Sequence, residues 1–309
     1  MRLRVVHETR YAYEEPVTTS HHQIHVSPRV LDRQECLFHD VVITPSPGVL
    51  RERIDYFGNA TRYFGIHEAH RALAVVAKSE VRLKSAPRLP PVSPPWEDVL
   101  AQLESDRRAP WLEAREYRYE SPYVRTSQEV REFAEVSFPR RRPLLEAMLD
   151  LTARIHSEFK YDRTATGVFT PVAEVMRHRR GVCQDFAHVG AACLRSLGLP
   201  ARYVSGYLLT TPPPGQPRLV GADASHAWFA TFFPNLGWVD FDPVNNSVSS
   251  DHYVTVAYGR DFGDVTPLRG VVQGGGGHLL EVSVDVSSVD DGEGDDAMRQ
   301  SQSQSQSGC

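Results

Sequence analysis

The sequence predicts an α+β chain in two units: a β-rich N-terminal sandwich domain, then a core in which one helix packs on an antiparallel sheet. Three observations predict it. Residues 1–84 alternate apolar and polar positions with the period of half-buried strands. Five prolines in APRLPPVSPP, residues 86–95, then interrupt the pattern. Beyond them, stripes of helical period give way to three strand-like runs, the helices-then-strands order of α+β chains.

In the first unit, residues 1–85, MRLRVVHETRYAY places Leu3, Val5, His7, Thr9, Tyr11 and Tyr13 on alternate positions. FHDVVITPSPG and RALAVVAKSEVRL read as further strands, and IDYFGNATRYFGI reads as a hairpin turning at Gly58-Asn59. Proline lacks the backbone donor that helices and central strands need, so residues 86–139 read as an extended linker and connecting segment.

The core is expected over 140–270. In PLLEAMLDLTARIHSEF, Leu144, Met148, Leu151 and Ile155 form one helical stripe. Thr170 and Pro171 predict a second helix, capped by the threonine and closed by the cations Arg177–Arg180. Gly181 breaks the chain, and a third helix is predicted from Cys183 to Leu197, stopped by Gly198 and Pro200. ARYVSGYLLT, HAWFATFF and GWVDFDPV follow as strands, the last two antiparallel across the FPNLG turn. GGGGH at 274–278 is a flexible joint, and the strand in 271–288 is placed to rejoin the first sheet. The acidic, SQ-rich tail 289–309 is expected to be disordered.

The composition excludes some functions. No apolar run approaches the ~20 residues of a membrane span, and the N-terminus alternates where a signal peptide would be continuously apolar. A cytoplasmic protein without a membrane partner is the expectation. The net charge of −5 comes largely from the tail, where five acids face one arginine. The body is thus near neutral and has no basic excess for nucleic acid. Four cysteines without a C-x-x-C pair do not make a disulfide framework. Cys36 and Cys193 read as packed thiols. His21, His22 and His25, with His67 and His70, have the crowding of a metal site, but no cysteine or carboxylate accompanies them. They read as surface histidines, and neither metal nor cofactor is expected.

GVCQDFAHVG, 181–190, carries the chemistry. A thiol at a helix N-terminus faces unpaired N–H groups and the positive end of the dipole, a setting that favours thiolate. Ala187, Gly190 and Ala191 on the same face allow close approach to a sheet. Asp185, about 200° around the helix from Cys183, reads as a structural cap of first-turn N–H groups. A cysteine nucleophile needs an imidazole and a group to orient it. His226 stands at a strand mouth after the long loop 211–224, and Asp240 and Asp242 share a face of the next strand.

GVCQDFAHVGAACLRSLGLPARYVSGYL and SHAWFATFFPNLGWVDFDPVN together resemble the transglutaminase-like core of the papain-type cysteine enzymes. HETRYAYEEPV, DYFGNATRYF and YGRDFGDVTPLRG resemble segments of the β-rich N-terminal domain joined to that core in bacterial members. The resemblance implies a catalytic triad of Cys183, His226 and Asp242, the aspartate chosen by its Asp-Pro adjacency, with Gly181 and Trp228 as structural neighbours. It implies a thioester route on amide bonds of peptides or proteins, as protease, amidase or acyltransferase. The backbone N–H of Cys183 is the expected oxyanion donor, with Gln184 as a candidate second. The alternative is a peptide-binding scaffold on the same fold with the triad unused.

Overall fold

The computed structural model describes residues 1–85, 89–210 and 225–289. The predicted loop 211–224 and the tail from residue 290 lie outside them. The N-terminal unit contributes β1 (Arg2–Ile24), β2 (Gln34–Thr44), β3 (Val49–Ile54), β4 (Ala60–Ile66) and β5 (His70–Leu83). Four helices follow, α1 (Trp96–Ser105), α2 (Ala109–Glu116), α3 (Gln128–Ser137) and α4 (Leu144–Glu158). Then come β6 (Lys160–Tyr161), α5 (Val172–His178), β7 (Arg180–Gly181) and α6 (Cys183–Ser196). The core strands are β8 (Ala201–Leu208), β9 (Ser225–Phe233), β10 (Gly237–Asp242), β11 (Ser247–Val248) and β12 (Tyr253–Gly259). The chain closes with α7 (Phe262–Val265), β13 (Leu268–Gly274) and β14 (His278–Ser288).

The long β1 organises the first sheet. Its first half lies between β5 and β14, its second half between β4 and β13, with a register shift between Ala12 and Val17 on the β5 side. Strands from both ends of the sequence therefore pair with one strand. The turn expected at Gly58-Asn59 is held by Asp55, whose Oδ1 accepts the N–H groups of Phe57 at 2.9 Å and Asn59 at 2.7 Å.

The stretch expected to be a connection, 86–139, instead carries three helices of the core. Val99, Leu103, Trp111 and Phe133 are buried there with Leu151 of α4 and Leu194 of α6. These helices are only 8 to 10 residues long and separated by charged or proline-containing segments, so each alone shows too few turns for a clear stripe. The second predicted helix differs at both ends. Pro171, not Thr170, occupies the N-cap, while Thr170 Oγ1 accepts the N–H of Gly167 at 2.9 Å. The helix stops at His178 because Arg179 turns left-handed, with φ 51°.

The second sheet has the order β11-β10-β9-β8-β12, all antiparallel, with α6 across one face. Along β9, Ala227, Phe229 and Thr231 alternate with His226, Trp228 and Ala230. The first set faces α6. There a Cβ on Gly190 would lie 2.5 Å from a ring carbon of Phe229, so the absent side chain is what lets helix and sheet meet. The C-terminal turn of α6 is fixed by buried Arg195, which donates to the carbonyls of Tyr117, Ala201 and Arg260 and to Ser121 Oγ.

The N-terminal unit closes the free edge at β12. The Asn59 amide accepts from the N–H of Tyr258 at 3.0 Å and donates to its carbonyl at 2.9 Å. Gln34 does the same for Thr255, at 2.8 and 2.7 Å. Two side-chain amides thus stand in for a neighbouring strand, which an exposed edge would otherwise recruit. Leu3, Val5, Val284 and Val286 share a buried cluster with Ala187, Tyr203 and Val254, so the two units have a continuous core.

Gly190→Ala is expected to destabilise the protein by about 1–3 kcal/mol through overpacking against Phe229. Denaturant unfolding checks this, and adding Phe229→Leu should recover part of the loss.

Candidate active site

The nucleophile candidate is placed by the turn before α6. Tyr161 of β6 pairs with Gly181 of β7, and the chain then enters the helix at Cys183. A Cβ on Gly181 would lie 2.6 Å from Asp185 Oδ2, so only glycine lets that carboxylate fold back over the turn. Asp185 Oδ2 accepts from the N–H of Val182 at 2.8 Å and from Thr166 Oγ1 at 2.6 Å. Burial raises its carboxyl above the usual range, and these two bonds oppose the rise.

This corrects the expected role of Asp185. It takes the N–H just before the helix rather than those of the first turn. Asp185 caps only the residue before the helix, and among the described residues no side chain accepts the first-turn N–H groups, Cys183 included. They remain available to a developing oxyanion beside the sulfur.

Cys183 is half-buried, and its Sγ lies 4.0 Å from the carbonyl oxygen of Ser225, the residue before His226. His226 is hydrogen-bonded to Asp242, and Cys183 acts on the same imidazole. Its Nε2 donates to Asp242 Oδ2 at 2.7 Å, leaving Nδ1 as the ring nitrogen for the thiol. The three residues, separated by up to 59 positions of sequence, form one connected chain of polar groups.

Asp242 is fully buried and bonded on both oxygens. Oδ2 accepts from His226, from Asn245 Nδ2 at 2.6 Å and from the Tyr253 hydroxyl at 2.8 Å. Oδ1 accepts the N–H groups of Val244 at 2.8 Å and Asn245 at 3.2 Å. Burial alone would raise the carboxyl, but the bond to His226, its charge and the further donors hold it below its ordinary value. Burial likewise pulls the His226 imidazole down. The bonds to Asp242 and Cys183, with their charges, outweigh it and raise the imidazole from 6.5 to about 10.

Asp240 shares the face but not the partner. It accepts from Ser249 Oγ at 3.2 Å, two residues away from the imidazole contact. Trp228 is fully buried, with its ring 5.9 Å from that of His226 and edge-on to Tyr253 at 5.3 Å. It forms a packed floor under the imidazole.

Gln184 departs from its expected role as a second oxyanion donor. Its Nε2 donates to the carbonyl of Val168 at 2.9 Å, which tethers the segment before α5 to the helix. Tyr161, which the sequence does not single out, feels the charge of Cys183. Its ring meets Phe186 of the first turn edge-on, and the phenol is raised by burial and then by the charge of Cys183. A two-residue strand has no periodicity to announce it. His188 is buried and neutral, lowered to about 3, and its Nε2 accepts the N–H of Phe262 at 3.1 Å.

The remaining candidates separate. His21 bonds the Tyr63 hydroxyl, His25 the Thr266 carbonyl and His70 the Glu68 carbonyl. His22, His25 and His70 are buried rather than at the surface, because β1 and β5 turn them into the sheet's covered face. Among the described residues no group of three or more metal-ligating side chains forms, and no helix is long and apolar enough to cross a membrane. Cys193 is fully buried, and Cys36 only partly so.

Asp242→Asn is expected to lower the His226 imidazole by roughly one to three pH units, read by NMR titration. The sign for stability follows. Because the folded-state value of about 10 exceeds the ordinary 6.5, this interaction stabilises fully below pH 6.5 and is lost as pH rises through about 10. Urea unfolding across that range should show a slope that flattens in Asp242→Asn. A wild-type imidazole titrating near 6.5 would contradict the geometry.

Comparison with known proteins follows the same two units. Residues 3–82 match the bacterial transglutaminase-like N-terminal region, and residues 131–243 match the transglutaminase-like superfamily. An uncharacterized protein of Mycobacterium tuberculosis is 39% identical over 292 residues, covering 92% of each chain. A protein-glutamine gamma-glutamyltransferase of Pseudomonas aeruginosa is 29% identical over 152 residues, 48% of this chain and 22% of that protein. Among solved structures, a proposed cysteine protease from Cytophaga hutchinsonii superposes with a TM-score of 0.72 at 20% identity, over 94% of this chain and 91% of that one. With both matched regions in order and near-full-length relatives at this identity, the chain belongs to the transglutaminase-like superfamily, its core preceded by the bacterial transglutaminase-like N-terminal region.

Proposed function

We propose that the protein is a cysteine enzyme acting on amide bonds of peptides or proteins through a thioester. One observation carries this reading: Cys183, at the head of α6, acts on the same imidazole that Asp242 holds by a hydrogen bond. In the reaction, His226 Nδ1 takes the Sγ proton and the thiolate attacks the amide carbonyl. The oxyanion meets the first-turn N–H groups of α6, with the Tyr161 hydroxyl as the second donor. The imidazolium then gives its proton to the leaving amine, which leaves a Cys183 thioester. Water releases a carboxylic acid from it, and a primary amine releases a new amide.

Asp242 serves this sequence by holding the imidazolium without taking its proton, since four other hydrogen bonds keep the carboxylate ionised. The sulfur's partial exposure is what a reacting group needs, and the sealed Cys193 is the internal control.

A thiol-reactive peptide probe is expected to label Cys183 selectively, located by mass spectrometry of digested protein. Cys183→Ala should abolish labelling and turnover of amide substrates, and His226→Ala should slow labelling by roughly 10²-fold or more. Tyr161→Phe should lower kcat by about tenfold with little change in KM. Turnover surviving in Cys183→Ala would overturn the thioester route. A thiol no more reactive than free cysteine would favour the scaffold reading instead.

A further inference from the structure

On the face of the second sheet away from α6 lies a cavity of about 520 Å³, walled by β10, β11 and β12 and closed by residues 31–34 of the N-terminal unit. Its size falls within the range of small-molecule sites. Among the charged side chains that line it, Arg33 and Asp240 stand a short way apart. Arg33 donates to Ser249 Oγ at 3.3 Å, and the same hydroxyl donates to Asp240 Oδ2 at 3.2 Å. Cation and carboxylate are thus separated by two hydrogen bonds through one serine. An ammonium and a carboxylate on the same carbon atom would span that separation, each turned to the opposite charge.

The rest of the wall mixes polar side chains, Asp32, Gln34, Arg202 and Thr255 among them, with an apolar patch. Trp238 and Tyr258 line it with Leu31 and Val248, and the rings are held firm by the Arg202 guanidinium, 3.9 Å from the Trp238 centroid and 4.4 Å from that of Tyr258. Arg202 is itself tied to Glu113. Asp240 is poorly solvated where it stands. Burial raises its carboxyl, and the charge of Arg33, the Ser249 bond and the charge of Arg202 offset this only in part. A bound ammonium would add a further donor to the Ser249 bond and the two guanidinium charges.

We infer that this cavity is a binding site for a free α-amino acid with an apolar side chain, its carboxylate on Arg33, its ammonium on Asp240 and its side chain against Trp238 and Tyr258. Tyr253 lines the same cavity and donates its hydroxyl to Asp242, so an occupant touches a side chain that holds the candidate triad. The site is separate from the thioester chemistry and does not depend on it.

Isothermal titration of the full-length protein with L-phenylalanine and L-leucine tests this. Saturable binding is expected, weakened tenfold or more when the ammonium is blocked in N-acetyl-L-phenylalanine or the carboxylate in L-phenylalaninamide, the equivalent of at least about 1.4 kcal/mol. Asp240→Asn and Arg33→Gln should each weaken L-phenylalanine binding to a similar degree, with a cooperative unfolding transition retained to show that the fold persists. Cys183→Ala should bind normally, so failure of the proposed chemistry and failure of this site read out separately. No saturable signal on the order of 10 mM, equal binding of the blocked ligands, or loss of binding on alkylation of Cys183 would each overturn the assignment.

Discussion

The close approach of α6 to β9 is the constraint from which the rest of the site follows. The helix carries the sulfur and the strand carries the imidazole. Their separation is set where Gly190 lies under the Phe229 ring, with no room for a methyl group. A helix is rigid over the two turns from Gly190 back to Cys183, so contact at one level fixes the sulfur at the other. Gly181 applies the same logic at the helix head, where the missing side chain makes space for the Asp185 carboxylate. Both glycines are used for the volume they leave empty. Neither has a positive φ.

Electrostatics completes what packing begins. A lone imidazole buried in protein loses its charge, as His188 does a turn along the same helix. His226, somewhat less buried, shifts the opposite way, because its partners are a carboxylate and a thiol rather than a backbone N–H. The difference lies in Asp242, whose buried charge is made tolerable by donors from Val244, Asn245 and Tyr253 as well as His226. The turn after β10 and the far edge strand β12 thus both contribute to one carboxylate.

The N-terminal unit is part of this arrangement and not an appendage. Its amides from Gln34 and Asn59 occupy the edge of β12, its valines join the cluster beneath Cys183, and Arg29 stacks 3.9 Å over Tyr258 from the side opposite the core. Residues from β14, near the end of the described chain, enter the same cluster. Removing β1 or β14 would expose the back of the transglutaminase-like core.

Local pattern alone determined much of this. Alternation marked β1, strand-like runs marked β5, β9 and β10, a helical stripe marked α4, stop residues marked α6, and the Gly181–Cys183 turn marked the nucleophile candidate, because each rests on signals within about fifteen residues. His226 and Asp242 were legible as candidates and their choice over Asp240 came from resemblance. Only the tertiary structure decided that Asp242 meets the ring while Asp240 lines a cavity, since both stand on one face of one strand. The helices within 86–139 were illegible because short segments bury residues only in concert. Gln184 turns to Val168 and Tyr161 goes unmarked in the sequence for the same reason: where a side chain points depends on neighbours brought from elsewhere in the chain, and no local period encodes them.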